Sequence, residues 1–224
     1  MDRQVYVIFV AGGSGTRMGS SIPKQFLRLG GRTVLQRTIE RFAEAVPGMR
    51  AVTVLPRDHF RTWKNICLDD SFDYPQTLVA GGITRFQSVR NALEKVPDGA
   101  VVMIHDGVRP FVSAELIRKL LAMMEDGTGG GVIPALPVTD TLRSTVPGVP
   151  DPDRSKVVAV QTPQVFFSED IKRAYGRAYE LSFTDDASVA ASCGIGIRIA
   201  EGEKFNIKIT TPEDLVAGEA ILSR

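Results

Sequence analysis

The sequence predicts an α/β fold: a mostly parallel sheet with helices on both faces. Three observations lead there. Short apolar runs alternate with helical patterns along nearly the whole chain. The runs are continuous rather than alternately apolar and polar, which is the pattern of strands buried on both faces. Glycine-bearing segments follow several of them, where such a sheet places its ligands.

The elements follow in order. Val5 to Val10 reads as the first buried strand. Thr33 to Val46 places Leu35, Ile39, Phe42 and Val46 on one helical face, with Thr33 and Gln36 as a capping box and Pro47-Gly48 as the stop. Ala51 to Leu55 is a second strand, Gln87 to Val96 a helix ended by Pro97-Asp98-Gly99, and Ala100 to Ile104 a third strand. Ser113 caps a helix to Glu125. Strands are expected at Gly131 to Leu136, Val157 to Val160 and Ile195 to Ala200, and a helix at Ser168 to Leu181. Thr211-Pro212-Glu213-Asp214 opens the last helix with cap, first-turn proline and first-turn acids in order. One stretch breaks the rhythm. Residues 137–156, "PVTDTLRSTVPGVPDPDRSK", are too long and too proline-rich for a usual connection. They read as a floppy surface loop or as an arm that leaves the globule to meet a partner.

The 224 residues suit one large domain or two small ones, and 27 basic against 26 acidic residues leave a net charge of +1. No global field therefore favours nucleic acid or an anionic membrane, and any anion site must come from local clusters. No apolar run reaches the length of a membrane span. The first residues enter a strand pattern with no targeting segment, so the chain is expected to stay in the cytoplasm, where it is made. Cys67 and Cys193 lie far apart and near no histidine cluster, and read as free thiols.

The first strand runs into "VAGGSGTRMGSSIPKQF", residues 10–26. The spacing fails the dinucleotide fingerprint, because the third glycine position falls on Met18. It fails the P-loop pattern too, because no glycine-lysine pair follows. What remains is a loop of small residues with Arg17 and Lys24. Glycines let backbone N–H groups approach a phosphate, Arg17 forks onto its oxygens, and Lys24 adds a point charge. The alternative is a tight strand-to-helix turn with two solvated cations. Three further clusters stand at strand ends. "GGITRFQSVRNAL" puts Gly81, Gly82 and Ser88 at a helix start. "IHDGVRPFV" puts Asp106 just past a strand, with Arg109 either beside a ligand or paired with Asp106 itself, and His105 as a packed turn histidine. "NIKITTPED" puts Lys208 before the last helix. No serine, cysteine or carboxylate array supports a hydrolytic triad. Together the clusters suit a nucleoside triphosphate and a second phosphorylated substrate.

Taken in order, "AGGSGTRM…PKQF", "GG-x-x-R-x-x-SV", "HDGVRPF", "TDT", "TPQVF", "TDDAS" and "NIKITTPEDL" resemble the 2-C-methyl-D-erythritol 4-phosphate cytidylyltransferases, over residues 5–222. The opening "AGG" also resembles the ribitol 5-phosphate cytidylyltransferases, whose acceptor is again a linear polyol phosphate. Ile83 stands where the first family often has a polar residue. The resemblance implies a single Rossmann-like nucleotidyltransferase domain over residues 1–224 with a projecting β-arm at 137–156, and a homodimer whose arms complete each other's sites. It implies CMP transfer from CTP to the polyol phosphate, with Mg²⁺, release of pyrophosphate, and no nucleic-acid or membrane partner. It assigns Ala11, Gly12, Gly13, Ser14 and Gly15 to wrapping CTP. Arg17, Lys24 and Lys208 would hold the reacting phosphates, and Gly81, Gly82 and Ser88 the cytosine and ribose. Asp106, Arg109, Thr141 and Arg154 would meet the acceptor. No protein residue is assigned as a dedicated metal ligand. A nucleotide-binding protein without turnover, and a sugar-1-phosphate nucleotidyltransferase, are the readings from other classes.

Overall fold

The computed structural model describes residues 3–13, 22–125 and 129–223. In chain order the strands and helices are β1 (Val5–Val10), β2 (Arg28–Leu29), β3 (Arg32–Thr33), α1 (Val34–Ala45), β4 (Arg50–Leu55), α2 (Phe60–Asp69), β5 (Gln76–Ala80) and α3 (Arg85–Leu93). Then come β6 (Val101–Asp106), α4 (Ala114–Glu125), β7 (Gly131–Pro137), β8 (Val158–Val160), β9 (Gln164–Phe167), α5 (Ser168–Tyr175), α6 (Asp186–Ser192), β10 (Ile197–Glu201) and α7 (Pro212–Leu222).

The central sheet runs β10-β7-β9-β6-β1-β4-β5, with β8 laid on β7. Pairings β1–β4, β1–β6, β4–β5 and β7–β10 are parallel. Strand β9 lies antiparallel to both β6 and β7, so β6 and β7 point the same way and their carboxyl ends share one edge. Both faces are covered. Phe9 packs with Leu35, Ile39, Phe42 and Leu120 on one side. Its neighbour Ile8 packs with Val52, Phe86, Val89 and Tyr175 on the other. Successive side chains of β1 enter opposite cores, and for that reason its run is continuously apolar.

The expected caps are present. Thr33 and Gln36 form a capping box on α1, and Thr211 and Asp214 form one on α7 with Pro212 in the first turn. The hydroxyl of Ser113 accepts from the N–H of Leu116 at 2.9 Å. Several boundaries move. Helix α3 begins at Arg85, because Thr84 and Gln87 make a further capping box. Helix α5 stops at Tyr175 instead of continuing to Leu181; the backbone turns at Gly176, and Leu181 is exposed. Strand β6 reaches Asp106, so this carboxylate sits on the strand's last residue rather than beyond it. Helix α2, strand β5, strand β9 and helix α6 answer to no expected element.

Residues 137–156 take the form of a two-limbed arm. At its base Ala135 faces Val160, Leu136 faces Ala159 and Pro137 faces Val158. The return limb takes a 3-10 turn at Arg154–Lys156. Farther out, Ser144 meets Asp151 and Val146 meets Val149. The N–H of Ser144 donates to Asp151 Oδ1 at 2.9 Å, and Arg143 pairs with the same carboxylate. At the tip the N–H of Val149 donates to the Val146 carbonyl at 3.2 Å. The turn between them, Pro147-Gly148, needs the positive φ of +79° that glycine supplies. The arm leaves from the carboxyl end of β7, the same sheet edge on which β6 ends.

Candidate active site

Three loops converge at the carboxyl ends of β1, β5 and β6. They enclose a cleft of about 230 Å³, whose lining includes Gly12, Gly13, Lys24, Gly82, Asp106 and Lys208. A roomier groove of about 500 Å³ lies between α2 and β5, but it is walled mainly by apolar side chains such as Trp63, Leu68 and Phe72. The smaller cleft gathers the charges and is the candidate.

The first wall starts where β1 ends. The N–H of Ala11 donates to the Val54 carbonyl at 3.0 Å, which keeps the loop in line with the sheet. The Ala11 carbonyl accepts from Nε2 of buried Gln25 at 3.0 Å. Gln25 lies in a single 3-10 turn, Lys24–Phe26, and the ring of Phe26 stacks on Trp63 at 5.8 Å. Two buried neighbours thus fix the backbone that carries Lys24, which lines the cleft as expected. Ser14, Gly15 and Arg17 lie outside the described residues.

The second wall is the Gly81–Thr84 turn. The N–H of Gly81 donates to the Leu55 carbonyl at 2.9 Å, so this glycine faces the sheet, while Gly82 faces the cleft. Ser88 Oγ accepts from the N–H of Gly82 at 3.0 Å and donates to the Thr84 carbonyl at 2.9 Å. Gln87 Oε1 accepts from the N–H groups of Ile83 and Thr84, at 2.9 and 3.3 Å. A Cβ at Gly82 would stand 2.4 Å from that of Gln87, so the turn tolerates no side chain there. The side chain of Ile83 is 97% exposed at the rim.

The floor is Asp106. Its N–H donates to Thr162 Oγ1 at 3.1 Å. Its Oδ2 receives Arg109 Nε at 3.1 Å and lies 3.1 Å from Lys208 Nζ. Burial pushes the carboxyl up; the charges of Lys208, Arg85 and Arg109 overcome that and hold it well below the usual carboxylate range. Arg109 also donates to the Asn206 carbonyl at 2.8 Å. It stands behind Asp106, in the pairing that was the alternative to ligand contact. Below it His105 is fully buried. The Arg109 carbonyl can only accept, so His105 Nε2, 3.1 Å away, carries the proton. Nδ1 then accepts from the Thr162 hydroxyl at 3.0 Å. Burial lowers the imidazole pKa to about 4, against partial opposition from that carbonyl bond.

The structure therefore brings Ala11, Gly12, Gly13, Lys24, Gly82, Ser88, Asp106 and Lys208 around one space. Thr141 and Arg154 are exposed on the arm, with Arg154 donating to the Thr139 carbonyl at 2.8 Å. Arg85 was assigned no role by sequence, yet it lines the cleft. It stood as the fixed arginine of "GG-x-x-R-x-x-SV", and the Thr84–Gln87 capping signal places it in the first turn of a helix.

This geometry agrees with what the chain is similar to. The family model for 2-C-methyl-D-erythritol 4-phosphate cytidylyltransferase, IspD, matches residues 5–224. A protein of that name from Bacteroides thetaiotaomicron is 46% identical over 217 residues, covering 96% of this chain and 98% of its own. Another from Porphyromonas gingivalis is 46% identical over 225 residues and all of both chains. Among solved structures, the 4-diphosphocytidyl-2C-methyl-D-erythritol synthase of Anaerococcus prevotii superposes with a TM-score of 0.82 at 29% identity, covering 99% of this chain and 97% of its own. The Thermus thermophilus cytidylyltransferase gives 0.74 at 30% identity, with both chains fully covered. The chain belongs to the 2-C-methyl-D-erythritol 4-phosphate cytidylyltransferase family.

Proposed function

We propose that this cleft is where the chain transfers the cytidylyl group of CTP to 2-C-methyl-D-erythritol 4-phosphate, a step of isoprenoid biosynthesis. The observation that carries the reading is the convergence of two glycine turns, Lys24, Lys208 and an ionised Asp106 on one space. The acceptor phosphate is an anion at neutral pH and needs no strong base. One of its oxygens forms a bond to the α-phosphorus of CTP, the bond from that phosphorus to the bridging oxygen breaks, and pyrophosphate leaves. The obstacle is bringing one anion against another, and fixed cations lower it by positioning and charge stabilisation.

Lys24 and Lys208 are the described cations for the phosphates, and Arg17 is proposed to join them. Ala11, Gly12 and Gly13 wrap the nucleotide, with Ser14 and Gly15 continuing that loop. Gly81, Gly82 and Ser88 shape the base side. Asp106, kept ionised, accepts from acceptor hydroxyls. Arg109 steadies Asp106 from behind, which leaves the acceptor phosphate to other cations. The whole chain, 1–224, acts as one nucleotidyltransferase domain, and its arm offers Thr141 and Arg154 to a second copy in a homodimer. Two facts support this: the arm leaves from the cleft edge of the sheet, and Val146 and Val149 are exposed at its tip.

The residues also suit Mg²⁺ carried on the triphosphate. Among the described residues no group of three or more acids, histidines or cysteines gathers to cage a metal, and the cleft's one carboxylate, Asp106, already has two cations on one oxygen. Most of the ion's ligands would then be phosphate oxygens and water, as is usual for Mg²⁺ at nucleotides. Bound there, it would neutralise phosphate charge. No helix among the described residues is long and apolar enough to cross a membrane. The free thiols Cys67 and Cys193, and the need for CTP, favour the cytoplasm.

The test is pyrophosphate release with CTP and Mg²⁺, offering methylerythritol phosphate and ribitol phosphate in parallel. Turnover with the first alone is expected. Turnover with the second alone would move the enzyme to the other polyol, and CTP binding without turnover would leave only the nucleotide site.

A further inference from the structure

The cleft wall contains an ion pair to which the transfer reaction gives no task. Arg85, the first residue of α3, donates from Nη1 to Asp186 Oδ1 at 2.8 Å and from Nη2 to Oδ2 at 2.6 Å. Asp186 is fully buried, and its Oδ1 also accepts from the Tyr175 hydroxyl at 2.5 Å. Its place at the start of α6 is fixed in turn by Gln164 on β9. Gln164 Oε1 accepts from the N–H of Ala187, and its Nε2 donates to Asp185 Oδ2, both at 2.8 Å. The next side chain along α3, Phe86, stacks on Tyr175 with centroids 4.7 Å apart. Elements β9, α5 and α6 thus hold the first turn of α3 by its arginine and its ring together.

Both oxygens of buried Asp186 hold the guanidinium of Arg85, so its place at the start of α3 is fixed. What it controls is the residue run just before it, the cleft rim of Gly82, Ile83 and Thr84. All three rim N–H groups are engaged internally, by Ser88 and Gln87. The Thr84 carbonyl is engaged as well, by the hydroxyl and N–H of Ser88. The carbonyls of Gly82 and Ile83 accept from no group among the described residues. The backbone of the rim therefore offers a nucleobase acceptors rather than donors. Cytosine presents an amino group at the position where uracil presents a carbonyl oxygen. An acceptor-only rim bonds the first and repels the second, provided the rim cannot turn its peptides over.

We propose that Arg85 and Asp186 form a clamp that sets nucleotide selectivity, as positioning residues that keep the Gly82–Thr84 rim in its acceptor-out form. The clamp acts through the rim and rests on the reading of this cleft as the CTP site. It also gives a physical task to Gln164 of "TPQVF" and to Asp185 and Asp186 of "TDDAS", as the support behind that wall.

The experiment compares Arg85→Lys and Asp186→Asn with the parent enzyme. Lysine keeps the charge but cannot bond both carboxylate oxygens, and asparagine keeps the shape but loses the charge. The readout is kcat/KM with CTP and with UTP under Mg²⁺ and methylerythritol phosphate, together with calorimetric binding of each nucleotide and Tm. The expected result is a fall of about tenfold or more in the CTP-to-UTP ratio in both variants, CTP losing and UTP holding or gaining. A parallel loss for both nucleotides would reduce the pair to a structural role and overturn the proposal, as would an unchanged ratio. Arg85→Lys decides the matter if Asp186→Asn does not fold. If the parent binds CTP but transfers nothing, the transfer reading fails, and the binding ratio alone still decides the clamp.

Discussion

Lys24 and His105 show how differently two residues of one site act. The buried Gln25 and Phe26 beside Lys24 fix the backbone from which its side chain enters the cleft, which suits the proposed hold on a phosphate. Removing one such contact costs about 3 kcal/mol of transition-state stabilisation, so Lys24→Ala is expected to turn over roughly a hundredfold more slowly. Full activity in that variant, measured by pyrophosphate release, would remove Lys24 from the reaction. His105 reaches no substrate and acts on stability. Its folded pKa of about 4 lies below the ordinary 6.5. Above pH 6.5 both folded and unfolded states are neutral there, and no difference arises. As pH falls from 6.5 towards 4 the unfolded chain takes a proton that the folded one refuses, and stability drops by up to about 3 kcal/mol. Asp106 works in a lower window: its folded pKa is depressed, so its contribution is present above about pH 4 and lost below it. Urea unfolding between pH 7 and 4 should show the His105 slope, and His105→Asn should flatten it. Equal slopes in the two proteins would show that the imidazole is not the source.

Among the elements, those with strong local patterns were readable and those defined by their neighbours were not. The apolar face and capping box of α1 announce it, and Thr211-Pro212 announces α7. Helix α2 is an exception: Phe60, Trp63, Ile66 and Cys67 form an apolar stripe that is legible in the letters, although only Trp63 is fully buried. Strand β9 is short and antiparallel, a direction set by the strands on either side and not by its own four residues. Helix α6 is one short capped segment whose small residues resemble loop. The same division runs through the site. Asp106 could be named because charge at a strand end is visible in the letters, and Lys24 and Lys208, one in a 3-10 turn and one outside any strand, because they stand in the motifs of the resemblance. The matching of Arg85 to Asp186 crosses 101 residues and is not. The arm is the element with the plainest test. Val146 and Val149 are 58% and 53% exposed at its tip, where the proposed dimer would cover them. If the proposed dimer forms through the arm, replacing both with aspartate is expected to convert it to a monomer by light scattering while leaving the fold intact by circular dichroism. A dimer of undiminished strength would move the interface elsewhere.

Over the whole molecule, one edge of the sheet carries the chemistry. The parallel strands end there. Antiparallel β9 begins there, which is how Thr162 comes to meet Asp106. The arm departs there too. Alternation of apolar runs and helical faces was enough to predict the parallel layers, because both of its causes are local. It could not show which loops would close on one another, since that depends on strand order. The arm's length sets its reach. Each strand residue advances the chain by about 3.3 Å, so Pro137 to Val146 reaches at most about 30 Å. Beyond Pro137 and Val158 the limbs form no strand ladder, and the return limb includes a 3-10 turn at Arg154–Lys156. Trimming both limbs draws the tip inward, and trimming one alone displaces Ser144 from Asp151. In the proposed homodimer, the distance the arm spans between copies is thus set by the lengths of its two limbs together.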